Sequence, residues 1–117
     1  MAHERYTNLD YLREITGGEP EIMKEFIQMF LEQLPEFRDG MTSFLSEQKW
    51  KELGEIAHKA KSSVMTFGMN DLGNRLKSLQ LKTQGLEEIE TYEGHVKEFM
   101  DMMDSAEAEL LEDLKQL

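Results

Sequence analysis

Apolar residues between Trp50 and Gly68 recur at the spacing of an α-helix. The steps between them are 3, 4, 3, 4 and 3 residues, in the order Trp50, Leu53, Ala57, Ala60, Val64 and Phe67. Because each residue turns a helix by about 100°, these steps place all six side chains on one side. The stretch is therefore predicted to be an amphipathic helix with one continuous buried face.

The same helical periodicity runs through the rest of the chain and is interrupted only by short turns. It predicts further helices over residues 7–16, 20–35, 35–48, 70–85 and 86–117. Gly17-Gly18 is expected to end the first of these, and Pro35 to separate the second from the third. The residues expected to face the core in these helices include Leu12, Ile15, Ile22, Phe26, Met29, Phe30, Phe37, Met41, Leu72, Leu76, Leu79, Ile89, Tyr92, Phe99 and Leu110.

No run of alternating residues rich in β-branched side chains occurs in the chain, so no strand is predicted. A length of 117 residues suits one hydrophobic core. We therefore predict an all-α fold that forms a single domain over residues 1–117. Its architecture is expected to be an up-down four-helix bundle with one or two additional short N-terminal helices.

The net charge of −11 argues against binding to nucleic acid, which requires a basic surface. The charge is uneven, because residues 47–85 contain seven Lys or Arg and four Asp or Glu, a net of 7 − 4 = +3. The remainder of the chain then carries −11 − 3 = −14. A basic region on an acidic protein indicates a surface suited to an anionic group or an acidic partner, although chance distribution over solvated helix faces gives the same count.

The chain has no cysteine, which excludes disulfides and thiolate metal sites and fits a reducing compartment. The first ten residues contain no apolar run that would indicate a signal peptide. No stretch approaches the roughly 18 apolar residues of a membrane span. We expect a cytoplasmic, free-standing and monomeric protein that does not associate with membranes.

His58 lies on the predicted 50–68 helix but points about 140° away from the middle of its apolar stripe. Gly54, Lys61, Ser62 and Met65 share its side of the helix at i−4, i+3, i+4 and i+7. An exposed imidazole offers a nucleophilic nitrogen near neutral pH. A lysine one turn away can neutralise a phosphoryl group placed on that nitrogen, and small neighbours leave room for another protein.

The segment AHKAKSS, followed by FG and then by Leu72, Leu76 and Leu79, resembles the histidine phosphotransfer (HPt) domain of two-component phosphorelays. The family pattern is roughly A-H-x-L-K-G-S, with a glycine about five residues later. The residues of this chain that match it are Ala57, His58, Lys61, Ser63 and Gly68. Upstream, LREITGGEPEIMKEFIQMFLEQLPE resembles the short helix, turn and Phe-rich helix that precede the bundle in that family.

The resemblance implies that His58 is the phosphoacceptor, that Lys61 stabilises the phosphoryl group and that Gln80 hydrogen-bonds to the histidine. It also implies that Ser62 and Met65 contact the partner, and the position of Gly54 beside His58 predicts the same role for that glycine. Two positions differ from the family pattern. Ala60 replaces the usual leucine, and Ser62 stands where the family has glycine.

The function implied by the resemblance is that of a phosphorelay intermediate. It would accept a phosphoryl group from the aspartate of a receiver domain and pass it to another response regulator. The expected partners are receiver domains and a hybrid sensor histidine kinase, and Mg²⁺ would be supplied by the receiver. The protein would be a phosphocarrier without turnover of its own and would need no cofactor.

Two alternatives remain open at the level of sequence. A non-catalytic helical adaptor would use the same bundle for protein binding alone. Glu55 and His58 also form an E-x-x-H pair, which di-iron bundles use twice, but the chain has no second copy. His3 and His95 are expected to be ordinary surface histidines.

Overall fold

The computed structural model describes residues 6–117, which contain five α-helices and no strand. The helices are α1 (Asp10–Thr16), α2 (Pro20–Ser46), α3 (Trp50–Thr66), α4 (Asn70–Gly85) and α5 (Tyr92–Gln116), with a 3₁₀ turn at Ile89–Thr91. The all-α prediction is confirmed. His3 lies outside the described residues.

The four long helices form the bundle, and α1 is the one additional short α-helix within residues 6–117. Helix α3 packs against α2 and α4, and helix α5 packs against the same two neighbours. Helices α3 and α5 therefore occupy opposite corners of the bundle. A surface residue of α5 is thus remote from the exposed face of α3.

Helix α2 continues through Pro35, and the prediction of two helices separated by this proline was wrong. A proline inside a helix costs about 3 kcal/mol, since it removes one hydrogen bond and crowds the preceding turn. Phe37 and Met41 follow Pro35 and are completely buried, and each contributes about 1.5–3 kcal/mol. Their burial offsets the cost, because Leu34 and Phe37 keep the helical phase across the proline.

The core is built from the buried stripes of all five helices. Four residues that were expected to be buried are instead exposed: Ile15 (46%), Phe26 (37%), Met29 (59%) and Ile89 (41%). Ile22 is only partly buried. In α2 two apolar stripes lie side by side, and only the stripe in phase with Phe37 and Met41 faces the core. Ile89 lies in the 3₁₀ turn, because α5 begins at Tyr92 and not at residue 86.

The segment before α1 ties that helix across the end of the bundle. The Thr7 hydroxyl donates to Glu109 Oε1 of α5 at 2.6 Å. The Asn8 backbone N–H donates to the carbonyl of Phe67, just after α3, at 2.8 Å. These bonds place α1 beside the C-terminal end of α3.

No helix within residues 6–117 is long and apolar enough to cross a membrane.

Candidate functional site

His58 is exposed on the middle of α3, as its angle to the apolar stripe predicts. Its Nδ1 lies 3.1 Å from Oε1 of Gln80, which is partly buried on α4. An amide oxygen can only accept a hydrogen bond, so Nδ1 carries the proton in this pair. In the neutral imidazole with this tautomer, the lone pair is on the second ring nitrogen, Nε2. The geometry therefore leaves Nε2 exposed and fixes the orientation of the ring.

Close packing of α3 on α4 sets the register of this pair. A side-chain carbon added to Gly54 would collide with Oγ1 of Thr83, so only glycine fits there. One turn beyond Gln80, the Thr83 hydroxyl donates to the Gln80 carbonyl at 2.7 Å. The contact between Gly54 and Thr83 thus holds the turn of α4 that presents Gln80 to His58.

The surroundings of Gly54 therefore differ from those that the sequence predicted. Its place beside His58 was expected to leave room for a partner loop, whereas the glycine is buried and Thr83 fills the adjoining space. A helical projection puts Gly54 on the His58 side correctly but does not show how close the next helix comes. Its role in partner binding stays a prediction.

Lys61 and Ser62 lie one turn beyond His58 on the same side of α3. Lys61 is partly buried and makes no ion pair with any carboxylate in residues 6–117. Side chains on a helix tilt toward its N-terminus, so Lys61 leans back toward the imidazole. Ser62 is exposed, and only its backbone carbonyl accepts a described hydrogen bond, from the Thr66 hydroxyl at 3.1 Å.

Met65 was expected to be exposed beside His58, but it is partly buried, because its side chain lies over Gly73 of α4. Its outer edge borders a shallow hollow that Tyr11 and Ser62 also line. Tyr11 is 52% exposed, so an aromatic ring of α1 extends the surface on this side of His58. Met65 is thus available to a partner only as part of a composite surface.

A groove of about 810 Å³ borders His58 on its other side, between α3 and α4. Its lining includes residues that the sequence reasoning did not single out: Lys51, Thr83, Gln84 and Leu86. Three of them are on or just after α4, and the pairing of α4 with α3 cannot be read from either helix alone. Lys51 stands two turns before His58 on α3, where helical spacing could have found it.

His95 offers a contrast to His58. It is half-buried on α5, and Nζ of Lys82 lies 3.2 Å from its Nε2. An ammonium group can only donate, so this nitrogen is already occupied. Burial, followed by the positive charges of Lys82 and Arg75, holds the pKa of His95 below its usual value.

No group of three or more His, Asp or Glu that could hold a metal ion occurs within the described part of the chain.

The family model of the Hpt domain matches residues 25–117, which are 93 of the 117 residues. The chain belongs to the Hpt domain family. Hpt domains are phosphocarrier modules that transfer phosphoryl groups through a histidine in phosphorelays. The match begins within α2, so α1 of this Hpt domain lies outside it. Searches of curated proteins and of solved structures found no match.

The glycine contact predicts the effect of a single methyl group on this Hpt domain. Gly54→Ala should lower the free energy of unfolding by about 1–3 kcal/mol, because the added carbon forces α3 and α4 apart. The displacement should also weaken the bond between Gln80 and His58. Urea unfolding measures the first effect, and the chemical shift of the His58 Nδ1 proton reports the second.

Gly94→Ala is the matched control, since Gly94 lies inside α5 with open space around it. This variant should be up to about 1 kcal/mol more stable, because alanine favours the helix over glycine. Equal stability changes in the two variants would contradict the close-contact account. Thr83→Ala added to Gly54→Ala should restore part of the loss.

Proposed function

We propose that this Hpt domain accepts a phosphoryl group on Nε2 of His58 from the aspartyl phosphate of a receiver domain and passes it to a second receiver. The observation that carries the proposal is the exposed imidazole whose Nδ1 is bonded to Gln80, which leaves Nε2 unencumbered. Within this account the protein is a carrier, and each transfer is reversible.

The chemistry required of the histidine is a single displacement. The Nε2 lone pair attacks phosphorus, the bond from phosphorus to the aspartyl oxygen breaks, and its electron pair returns to the carboxylate. The imidazole gains positive charge as the new bond forms. The Gln80 oxygen, already accepting from Nδ1–H, stabilises that charge without any movement of the site.

Lys61 and the receiver share the neutralisation of the phosphoryl oxygens. The transferring group spreads negative charge over its equatorial oxygens, so catalysis depends on alignment and on nearby cations. Lys61 leans toward His58 and has no competing carboxylate among the described residues. Mg²⁺, held by the acidic residues of the receiver, supplies the remaining positive charge from the partner's side.

An apolar surface beside His58 supports docking of a protein rather than a small molecule. The edge of Met65 and the ring of Tyr11 line one hollow with Ser62. Ile15 on α1 and Phe26 and Met29 on α2 are also exposed, and we infer that they extend this apolar surface. The Ser63 hydroxyl donates to Gln33 Oε1 at 3.0 Å, which fixes α2 against α3. Met29 is one turn before Gln33 and so lies near the C-terminal end of α3. Exposed apolar patches of this kind mark interaction sites.

Labelling tests the phosphoacceptor directly. A receiver domain carrying radioactive aspartyl phosphate should transfer its label to the wild-type protein as an acid-labile phosphate. His58→Gln should abolish the label, because the amide nitrogen that replaces the imidazole is not nucleophilic. His95→Gln is the matched control and should label normally, since His95 Nε2 is occupied by Lys82.

Label that persists in His58→Gln would move the acceptor to another residue. No label with any of a panel of receivers from the same organism, together with binding that His58→Gln leaves unchanged, would favour the helical adaptor.

The apolar surface predicts a separate effect on docking. Met29→Glu should weaken binding of the receiver by about tenfold, because a buried charge replaces an apolar contact. Leu111→Glu makes the same change at a 48% exposed position on α5, at the opposite corner of the bundle from α3, and should bind normally. Calorimetric titration compares the two, and equal affinities would rule out the surface.

A further inference from the structure

Lysines without a carboxylate partner cluster around His58. Of 13 Lys and Arg side chains, Arg5 lies outside the described residues, which leaves 13 − 1 = 12. Eight of these make ion pairs within 4.0 Å: Arg13, Lys24, Arg38, Lys49, Lys59, Arg75, Lys82 and Lys115. Four make none within residues 6–117: Lys51, Lys61, Lys77 and Lys97.

Three of these four lysines lie on the His58 side of the bundle. The pairs His58–Gln80 and Met65–Gly73 fix the antiparallel register of α3 and α4. In that register Lys77, three residues before Gln80, lies at the level of Lys61. Lys51 lines the same groove as His58. Only Lys97, on α5, is remote.

The absence of ion pairs at these three lysines, among the described residues, needs an explanation on a chain with 24 Asp and Glu residues. Glu55 lines the groove with Lys51 but pairs with none of the described lysines. Lysines left unpaired on one face repel each other, and the repulsion disappears when an anionic surface covers them. Elsewhere in residues 6–117 the bundle neutralises most of its cations internally.

The three lysines divide between two tasks according to the direction in which they lean. Lys61 tilts toward His58, whereas Lys77 tilts toward the N-terminus of the antiparallel α4, away from the imidazole. Lys51 stands two turns from His58, about 10 Å along the helix, and also tilts away. Lys61 therefore faces the phosphoryl group, while Lys51 and Lys77 flank the site without reaching it.

We propose that Lys51 and Lys77 are recognition residues that pair with acidic side chains of the receiver domain on the α4 side of His58. The apolar surface of α1 and α2 contacts the other side of the same partner. The docking face is thus apolar on one side of the histidine and cationic on the other, which selects receivers with a matching arrangement and fixes their orientation. This inference rests on the proposed function, since it names the receiver as the partner.

The test uses the receiver that labels His58 fastest, with transfer rates measured at subsaturating concentrations. At about 0.02 M salt, Lys51→Glu/Lys77→Glu should accept phosphate about tenfold more slowly than the wild type, because charge complementarity accelerates encounter. At about 0.5 M salt the difference should fall below about twofold, since screening removes the attraction. Lys51→Gln/Lys77→Gln, which adds no carboxylate, should show a smaller loss with the same salt dependence.

Lys97→Glu/Lys115→Glu is the matched control, because it changes the net charge equally but on α5, at the opposite corner from α3. It should slow transfer by less than about twofold at low salt. Equal slowing by the two charge reversals would mean that total charge alone matters, and this would overturn the proposal. Transfer to His58 at the wild-type rate in the Lys51/Lys77 variants would also overturn the proposal. That result would leave the proposed function intact, because His58 would still be labelled. If no receiver labels His58, both fail together.

Discussion

The close approach of α3 and α4 is the constraint on which the site depends. A side chain at position 54 would collide with Thr83, and Met65 lies where a side chain at position 73 would be. These two glycines let the antiparallel helices come together, and the resulting register brings Gln80 within hydrogen-bond distance of His58. The imidazole of His58, the proposed nucleophile, is therefore oriented by backbone packing and by a neutral amide, without a buried charge. Such a site costs the fold little, because His58 itself remains in solvent.

Charge is arranged around this site in a way that the total charge of the chain conceals. A protein of net charge −11 would repel an acidic partner, yet three lysines on the His58 side of the bundle, Lys51, Lys61 and Lys77, pair with no carboxylate of residues 6–117. The net negative charge of the chain then repels an acidic partner at long range, while these lysines attract it locally. In the proposed complex, an acidic receiver would gain most in the one orientation that brings its carboxylates to α3 and α4. Specificity in this account comes from orientation as much as from affinity.

Much of this arrangement could be predicted from the sequence, because helical periodicity states which side of a helix faces the core. The exposure of His58 followed from its angle to the stripe from Trp50 to Phe67, and the all-α fold followed from the same periodicity throughout. The resemblance to the Hpt family, confirmed by the match over residues 25–117, supplied the pairing of His58 with Gln80.

The errors arose where tertiary packing decided between local options. Pro35 is a strong helix breaker in isolation, but the buried residues beyond it outweigh its cost and keep α2 continuous. Phe26 and Met29 are apolar and lie at helical spacing, yet the neighbouring stripe of α2, which includes Phe37 and Met41, is the one that packs into the core. Gly54 faces the same side as His58, but the proximity of α4 buries it. None of these outcomes can be read from one helix, since each depends on which neighbour lies opposite.

We propose that Gln80 holds the proton on Nδ1 of His58 and so directs the phosphoryl group to Nε2. NMR of the ¹⁵N-histidine-labelled, phosphorylated protein identifies the modified nitrogen through its coupling to ³¹P. The expected result is a phosphoryl group on Nε2 of His58, with Nδ1 still protonated. A phosphoryl group on Nδ1 would contradict it, because that nitrogen could then no longer donate to Gln80.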